Sequence, residues 1–243
     1  MLDKINENNI LFLDIETVPQ CEYYDNLDEF KKKLWNKKAS HLYNNDDKSS
    51  AELYQRAGIY AEFGKIVCIS VGFLNSKSGN KHLRLKSFYG DDEKIILKEF
   101  IALLNKHFYR KEHLLCAHNG KEFDFPYLSR RILINGLKLP KLLDIAGKKP
   151  WEVKHLDTLE LWKFGDYKHY TSLNLLTNIF NIPSPKDDID GSEVAGVYWV
   201  DKDLKRIAKY CQKDVIALVQ LFLRYKGENL VKEENIEIIS DLN

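Results

Sequence analysis

The chain has 243 residues, of which 44% are hydrophobic and 12% aromatic, and its 37 basic and 36 acidic residues leave a formal net charge of +1. This composition excludes a disordered chain, and the length suits one domain with a single core. The near-neutral charge argues against a protein that coats duplex DNA by charge alone, although it permits a local nucleic-acid site.

The sequence has no feature typical of an exported or membrane protein. Its opening, MLDKINENNI, is polar and charged, and no apolar run approaches the ~20 residues that cross a bilayer. The four cysteines form no CxxC pair and are widely scattered: Cys21, Cys68, Cys116 and Cys211. We therefore expect a cytoplasmic protein with reduced thiols and no membrane partner. The seven histidines form no metal-spaced cluster, so no zinc site is expected.

Hydrophobic periodicity predicts strands and helices in succession along the chain. The predicted strands cover residues 10–14, 65–74, 82–89, 113–119 and, more weakly, 155–161. The predicted helices cover residues 91–108, 125–135, 172–180 and 201–225, the third with Ser172 as its N-cap. Three strands followed by alternating helices and strands indicate a mixed sheet covered by helices.

Residues 20–60 interrupt this succession. The stretch NLDEFKKKLW places its apolar residues on one helical face, and residues 51–63 predict a second helix. We interpret the segment as a helical insertion after the first strand, which is either a solvated amphipathic hairpin or a lining of a substrate channel. Residues 1–225 then form a single domain, and residues 226–243 form a polar, loosely ordered tail.

Two acidic residues end the first predicted strand, in ILFLDIETVP. Because side chains alternate along a strand, Asp14 and Glu16 share one face and can hold one cation between them. Without a positive charge the two carboxylates would repel each other. Carboxylate oxygens suit Mg²⁺ or Mn²⁺, so the pair predicts a metal site. A strand-end acid can also simply cap a following turn, so further ligands are needed.

Two other segments carry candidate ligands. Asp124 lies between a predicted strand and the helix after it, where an aspartate can also serve only as an N-cap. Tyr210 and Asp214 are four residues apart on the last predicted helix and therefore share a face. Taken alone, this pair also fits a core tyrosine and a surface aspartate.

Together these residues have the order and settings of the DEDD exonuclease family, which the chain resembles over about residues 8–225. LDIETVP resembles the first family motif, NGKEFDFPYL the second and YCQKD the third. The Y-x-x-x-D form of the third motif is that of the tyrosine subgroup, whereas the histidine subgroup has H-x-x-x-x-D and Lys209 stands at that position here. HNGKEFDFPYLSRR is similar to the proofreading exonuclease domain of family-B DNA polymerases.

This resemblance implies a ribonuclease H-like α/β fold, with a mixed five-stranded sheet whose three N-terminal strands are antiparallel and which is flanked by helices. It also implies a free-standing 3′–5′ exonuclease. Such an enzyme shortens single-stranded DNA from the 3′ end with two Mg²⁺ or Mn²⁺ ions and releases nucleoside 5′-monophosphates.

The resemblance also assigns a role to each residue of the site. Asp14 is expected to bridge both ions, with Glu16 and Asp214 completing the site of the ion that activates water. Asp124 is expected to hold the second ion, partly through water. Tyr210 is expected to orient the attacking water, because a phenol with a pKa near ~10 is a poor general base at neutral pH.

Substrate contacts are also implied by the resemblance, at Thr17, Asn119 and Phe123. An aromatic ring at Phe123 would stack on any base, although the residue fits core packing equally well. Three cations nearby fit either phosphate contacts or surface pairing: Lys121, Arg130 and Arg131.

Three alternatives stay open. A phosphatase with a nucleophilic strand-end aspartate is disfavoured, because its D-x-D-x-[TV] pattern is absent and it gives no role to Tyr210 or Asp214. A catalytically silent nucleic-acid binding module is disfavoured by the complete acid set. A 3′–5′ exoribonuclease that trims RNA differs only in its substrate. None of these residues indicates whether the enzyme recognises the 2′-hydroxyl of RNA. The expected partner is the 3′ end of a single-stranded nucleic acid, with DNA favoured over RNA; the residues do not indicate which proteins the chain binds.

Overall fold

A computed structural model of the chain describes residues 2–42, 48–77, 79–166, 170–183 and 189–239. The strands are β1 (Ile10–Pro19), β2 (Gly64–Lys77), β3 (Asn80–Tyr89), β4 (Leu114–Ala117), β5 (Leu156–Asp157) and β6 (Ile236–Ile238). The α-helices are α1 (Glu29–Ser40), α2 (Ser50–Leu53), α3 (Glu93–His107), α4 (Asp124–Ile134), α5 (Thr158–Lys163), α6 (Leu173–Ile179), α7 (Val194–Gly196) and α8 (Leu204–Tyr225).

The strands form one mixed sheet in the order β5-β4-β1-β2-β3-β6. β1, β2 and β3 are antiparallel neighbours, whereas β4, β5 and β6 each join a neighbour in parallel. The α/β class and the three antiparallel N-terminal strands are therefore confirmed, and the expected count of five strands is wrong by one. No helix in the described parts of the chain is long and apolar enough to cross a membrane.

The sixth strand comes from the segment that was expected to be a loose tail. Ile236–Ile238 pairs in parallel with β3, and the Ile239 amide donates to the Leu85 carbonyl at 2.7 Å. An uncovered β3 edge would leave a row of main-chain groups unpaired, and this short strand covers it. Residues 240–243 lie outside the described residues.

Both faces of the sheet are buried, as the alternation along β1 shows. Leu11, Leu13 and Ile15 face a core formed with α3 and α4. Ile10 and Phe12 face the opposite way and pack against α8. β1 is therefore central, and its even-numbered side chains are directed at α8.

The predicted long helices are confirmed, and one predicted strand is mostly wrong. Ser172 caps α6 by accepting a hydrogen bond from the Leu175 amide at 3.2 Å. Residues 155–161 form only the two-residue β5 before the chain turns into α5. The Asp157 carboxylate causes this change because it accepts a hydrogen bond from the Leu159 amide at 2.9 Å and so caps a helix.

The helical insertion between β1 and β2 has a small core of its own. Trp35 of α1 is fully buried, and its indole N–H donates to the Ser50 carbonyl at 2.7 Å. Its ring centroid lies 5.5 Å from that of Tyr54 and 5.2 Å from that of Phe63. The expected second helix is shorter than residues 51–63, because α2 gives way to a 3₁₀ segment at Tyr54–Ile59.

Candidate active site

β1 positions the first two carboxylates. Asp14 and Glu16 lie on the face of β1 that is directed at α8; Glu16 is buried, and Asp14 keeps part of its surface open to solvent. The register with β2 shifts between Glu16 and Thr17, because Glu16 pairs with Cys68 and Thr17 with Ile66. Such a bulge changes the direction of a strand and is frequent beside active sites.

α8 brings the third motif to this face. Asp203 caps the helix by accepting a hydrogen bond from the Arg206 amide at 3.0 Å. The Tyr210 hydroxyl is hydrogen-bonded to the Asp214 carboxylate. Burial and then the charge of Asp214 raise the pKa of the Tyr210 phenol well above its usual value. The phenol therefore stays protonated at neutral pH.

Asp124 reaches the site from the beginning of α4. The residue is buried, and its carboxylate accepts hydrogen bonds from its own amide and from the Ile15 amide of β1. Burial, opposed by these amides and reinforced by the charge of Asp157, raises the pKa of the Asp124 carboxyl to about 7. The bond to Ile15 fixes the second motif directly against the first.

The carboxylates raise one another's pKa values. Burial is the main cause for Asp14, followed by the charges of Asp214 and Asp124. Burial is also the main cause for Glu16, followed by the charges of Asp14 and Asp214. Within the described residues, no cationic side chain is paired with Asp14 or Glu16. Asp14 and Glu16 thus bring together negative charge that no cationic side chain of the described residues neutralises.

This donor set fits a divalent cation. Ligand atoms of Asp14, Glu16 and Cys211 all lie within 4.8 Å of one another, the one such group of three within the described ranges. Asp124 and Asp214 lie outside that group but close enough to raise the pKa of Asp14. Carboxylate oxygens are the ligands that hard divalent ions take.

Cys211 was not predicted as part of the site. Its thiol lies 3.2 Å from Oδ2 and 3.4 Å from the main-chain carbonyl of Asp14, and donates to them. It therefore orients the carboxylate that stands at the centre of the cluster. The available signal was its spacing, since Cys211 precedes Asp214 by three residues and shares its helical face.

A buried hydrogen-bonded network lies beside the carboxylates on the same face of the sheet. Ser70 pairs with Asp14 across β1 and β2, and its hydroxyl lies 2.7 Å from that of Ser87. The Gln212 side-chain amide of α8 donates to the Ser87 hydroxyl at 2.9 Å. This network ties α8 to β2 and β3 and so fixes the helix over the strand that bears the acids.

Asp157 fixes the loop that leads to Asp124, and it too was not predicted. Its carboxylate accepts hydrogen bonds from the amides of Asn119 at 2.9 Å and Lys121 at 3.0 Å. Asn119 has a φ of 63°, a left-handed conformation that these bonds stabilise. Gly120 is required next to it, because a Cβ there would lie 2.4 Å from that of Ala117.

The three predicted substrate residues lie around this loop and the end of β1. The Thr17 hydroxyl is hydrogen-bonded to the Tyr127 hydroxyl, which itself donates to the Gly58 carbonyl at 2.7 Å. Phe123 is partly buried with its ring 5.3 Å from that of Tyr127. Asn119 stands at the turn and is partly exposed. Their contacts with substrate stay a prediction.

Of the three nearby cations, two are paired within the protein. Arg131 is buried, and its Nε donates to Glu93 at 2.8 Å. Lys121 lies 2.7 Å from the Glu160 carboxylate. Arg130 is exposed. Arg131 therefore has a structural role, and the surface-pairing alternative holds for Lys121.

One exposed aromatic residue near the carboxylates was also not predicted. Tyr170 is 65% exposed, with its ring 6.2 Å from that of His118. Burial of part of the ring and then the charges of Asp124 and Asp14 raise the pKa of its phenol. His118 fixes this segment, since its Nε2 lies 2.8 Å from the Thr171 carbonyl.

The order of the strands and the helices that flank them agree with the ribonuclease H-like fold expected from the sequence. The chain belongs to the family described as predicted 3′-5′ exonuclease related to the exonuclease domain of PolB, which it matches over residues 59–240. That range contains Asp124, Tyr210 and Asp214, whereas Asp14 and Glu16 precede it.

Individual relatives are consistent with this family. The chain is 24% identical over 142 residues to a DNA polymerase of Pyrococcus glycovorans, covering 53% of this chain and 18% of the polymerase. It is 26% identical over 179 residues to DNA polymerase 1 of Pyrococcus abyssi, covering 66% of this chain and 22% of the polymerase. These comparisons confirm the expected relation to family-B DNA polymerases, of whose length the chain spans about a fifth.

A solved structure agrees on the fold. The family B DNA polymerase of the hyperthermophilic archaeon Pyrobaculum calidifontis superposes with a TM-score of 0.52 and 16% sequence identity. The match covers 89% of this chain and 24% of the polymerase chain. At this identity the likeness concerns the fold, and it extends over nearly all of the chain.

Proposed function

We propose that the protein is a metal-dependent 3′–5′ exonuclease that hydrolyses single-stranded DNA from its 3′ end and releases nucleoside 5′-monophosphates. The observation that carries the proposal is the convergence of Asp14, Glu16, Asp124 and Asp214 from three separate elements, close enough that their charges raise the pKa values of Asp14 and Glu16. Bringing four carboxylates together, two of them buried, is unfavourable unless cations bind among them. An aspartate that only caps a turn or a helix does not require other carboxylates beside it.

In this proposal the carboxylates of Asp14, Glu16, Asp124 and Asp214 would hold two Mg²⁺ or Mn²⁺ ions. Bound divalent ions supply charge stabilisation to the attacking and leaving oxygens of a phosphodiester. The Cys211 thiol and the Ile15 amide hold the Asp14 and Asp124 carboxylates in place through the hydrogen bonds described above. Their orientation is then set before substrate binds, which lowers the reorganisation needed during the reaction.

Tyr210 acts as an orienting group. Because its pKa is raised, the phenol does not remove a proton at neutral pH. Its hydroxyl, held by Asp214, positions the attacking water through a hydrogen bond. In this proposal the exposed ring of Tyr170 and the partly buried ring of Phe123 contact the terminal nucleotides, where stacking tolerates any base.

The substrate is assigned to DNA because the relatives above are DNA polymerases. Trimming of RNA is the alternative, because none of the site contacts described above distinguishes RNA from DNA by its 2′-hydroxyl. A catalytically silent binding module is a second alternative, which a direct assay separates from both.

The test uses matched single-stranded DNA and RNA oligonucleotides labelled at the 5′ end, incubated with Mg²⁺ or Mn²⁺. We expect a ladder that shortens from the 3′ end, that EDTA abolishes, and that is faster on DNA. Glu16→Gln should abolish the ladder, whereas Glu99→Gln, the same change at an exposed position on α3, should not. Faster cleavage of RNA would reassign the substrate, and binding without any cleavage would support the silent module.

A further inference from the structure

The inner face of α1 is packed into the core of the insertion. Trp35 and Ala39 are fully buried on that face. Asp28 caps the helix by accepting a hydrogen bond from the Lys31 amide at 2.8 Å. A helix held by a buried tryptophan and a cap keeps a fixed orientation, so the residues on its outer face keep fixed positions as well.

The outer face of α1 carries two apolar residues and two lysines in one row. Phe30, Lys33, Leu34 and Lys37, hereafter the outer stripe, follow the i, i+3, i+4, i+7 spacing of one helical face. Phe30 is 70% exposed and Leu34 is 43% exposed. Neither lysine of the stripe forms an ion pair with any residue in the described ranges, whereas Lys32 lies 3.0 Å from Glu29.

The charge of α1 is far from that of the whole chain. The helix contains five lysines and one glutamate, in a protein whose formal net charge is +1. An exposed row that alternates cations with an aromatic ring and an aliphatic side chain matches the surfaces that follow single-stranded nucleic acid. Lysines on such surfaces meet phosphates, and aromatic rings meet bases.

The insertion is attached to the strand that bears the catalytic acids. Under α1, Tyr54 begins the 3₁₀ segment, and its hydroxyl accepts a hydrogen bond from the Cys21 amide at 3.2 Å. In the same segment a Cβ at Gly58 would lie 3.1 Å from the Val18 Cα, so this backbone is in direct contact with β1 two residues after Glu16. The 3₁₀ segment that packs under α1 is therefore also packed against β1, the strand that carries Asp14 and Glu16.

We propose that the outer stripe binds the part of a single-stranded nucleic acid that lies 5′ of the nucleotides held at the carboxylates. This inference rests on the proposed function, and it assigns to the insertion a binding surface outside the range of the family match, which begins at residue 59. A nucleic acid whose 3′ end occupies the site extends away from it only in the 5′ direction. The outer stripe should therefore contribute to the binding of long substrates and not to the binding of short ones.

The binding test uses fluorescence anisotropy with a labelled 20-nucleotide single-stranded DNA and a labelled trinucleotide, in EDTA so that no cleavage occurs. Lys33→Gln with Lys37→Gln should weaken binding of the 20-mer about tenfold at low salt. It should also lower the slope of log K against log salt by about 1.4, for two lost phosphate contacts. Phe30→Ala should weaken binding of the 20-mer without changing the slope.

The matched control removes two exposed lysines elsewhere, with Lys98→Gln and Lys106→Gln on α3. It should leave the affinity for the 20-mer within twofold of the wild type. Equal losses in the control and the stripe variant, or no loss in the stripe variant, would overturn the inference. Dimerisation of the wild type in sedimentation, abolished by Phe30→Ala, would also overturn it, because a second copy would then cover the stripe.

Cleavage of the trinucleotide with Mg²⁺ separates this inference from the proposed function. The stripe variants should cleave it at the wild-type rate while their kcat/KM on the 20-mer falls about tenfold. A wild type that cleaves neither substrate would contradict the proposed function alone, since the anisotropy measurements still decide whether the stripe binds.

Discussion

Two buried acidic sites in this molecule differ in how their charge is compensated. Glu93 accepts hydrogen bonds from the Ile66 amide at 2.8 Å, from Arg131 at 2.8 Å and from Asn135 at 2.8 Å. Its negative charge is thus matched by a guanidinium within the protein. Asp14 and Glu16 have no such partner among the described residues, and burial together with neighbouring carboxylates raises their pKa values.

This difference distinguishes a buried carboxylate with a structural role from one that needs a bound cation. A carboxylate with a full set of donors and a countercharge needs nothing further, and its function is to join elements, here α3, α4 and β2. A group of carboxylates without a countercharge is unfavourable by itself and favourable only when a cation binds.

The largest effect is expected for Asp14→Asn. We expect loss of cleavage by more than ~10⁴-fold, because the substitution removes the central ligand of the proposed metal site and half of the acid pair on β1. The unfolding temperature without metal should stay the same or rise, since the substitution removes charge repulsion. Thermal unfolding and the oligonucleotide assay measure both quantities; retention of full activity would show that the site is assigned to the wrong residues.

For the ion pair of Glu93 and Arg131 we expect a loss of stability and no loss of cleavage. Arg131→Met leaves Glu93 buried without its countercharge and should lower the free energy of unfolding by ~3–5 kcal/mol. Cleavage at a temperature where the variant is folded should stay near the wild-type rate. Replacing both partners, with Glu93→Leu added, should recover much of the loss in urea unfolding. A loss below 1 kcal/mol in the single variant would mean that the pair has little structural importance.

A smaller effect on cleavage is expected for Tyr210→Phe. The substitution keeps the ring and removes the hydroxyl that is bonded to Asp214. We expect a loss of ~10²-fold in kcat, within the range of positioned proton-handling groups, and little change in KM. The pH–rate profile should keep its shape, because the phenol does not titrate near neutral pH. A loss as large as that of Asp14→Asn would give the hydroxyl a greater role than orientation.

The smallest effect concerns the stability of the metal-free protein. The pKa of Asp124 is raised from its ordinary value of 3.8 to about 7, so the folded state binds a proton more tightly than the unfolded state. The stability that this proton confers is present below pH ~4 and is lost as pH rises to about 7. In EDTA, Asp124→Asn should remove that part of the pH dependence, measured by urea unfolding at pH 5 and pH 7.5. An unchanged slope would contradict the raised pKa.

The sequence alone predicted most of the fold, because long periodic segments dominate it. α8 and α3 have clear helical periodicity, and the Ser172 cap was correctly placed. β6 was missed because a three-residue strand in a polar segment has too few residues to show alternation. α5 was missed because its start depends on the hydrogen bonds of Asp157, which a weak apolar pattern does not reveal.

The residues of the candidate site were recognised from the sequence in part. Acids at a strand end, a helix start and a helix face were recognisable because each had a motif. Cys211 and Asp157 were not, because a thiol next to a carboxylate and a buried cap are contacts between distant segments. Local spacing carries information about a residue's own element, whereas these two roles depend on how the elements pack.

The most direct test of the central claim is a calorimetric titration of the protein with Mn²⁺ at pH 6.5, in two buffers of different ionisation enthalpy. We predict binding to the wild type with release of protons, because the raised pKa values of Asp124, Asp14 and Glu16 leave some carboxyls protonated before the cation arrives. Asp14→Asn should remove this binding, and Glu99→Gln should retain it. No binding to the wild type, or equal binding to both variants, would contradict the assignment of these carboxylates as a cation site.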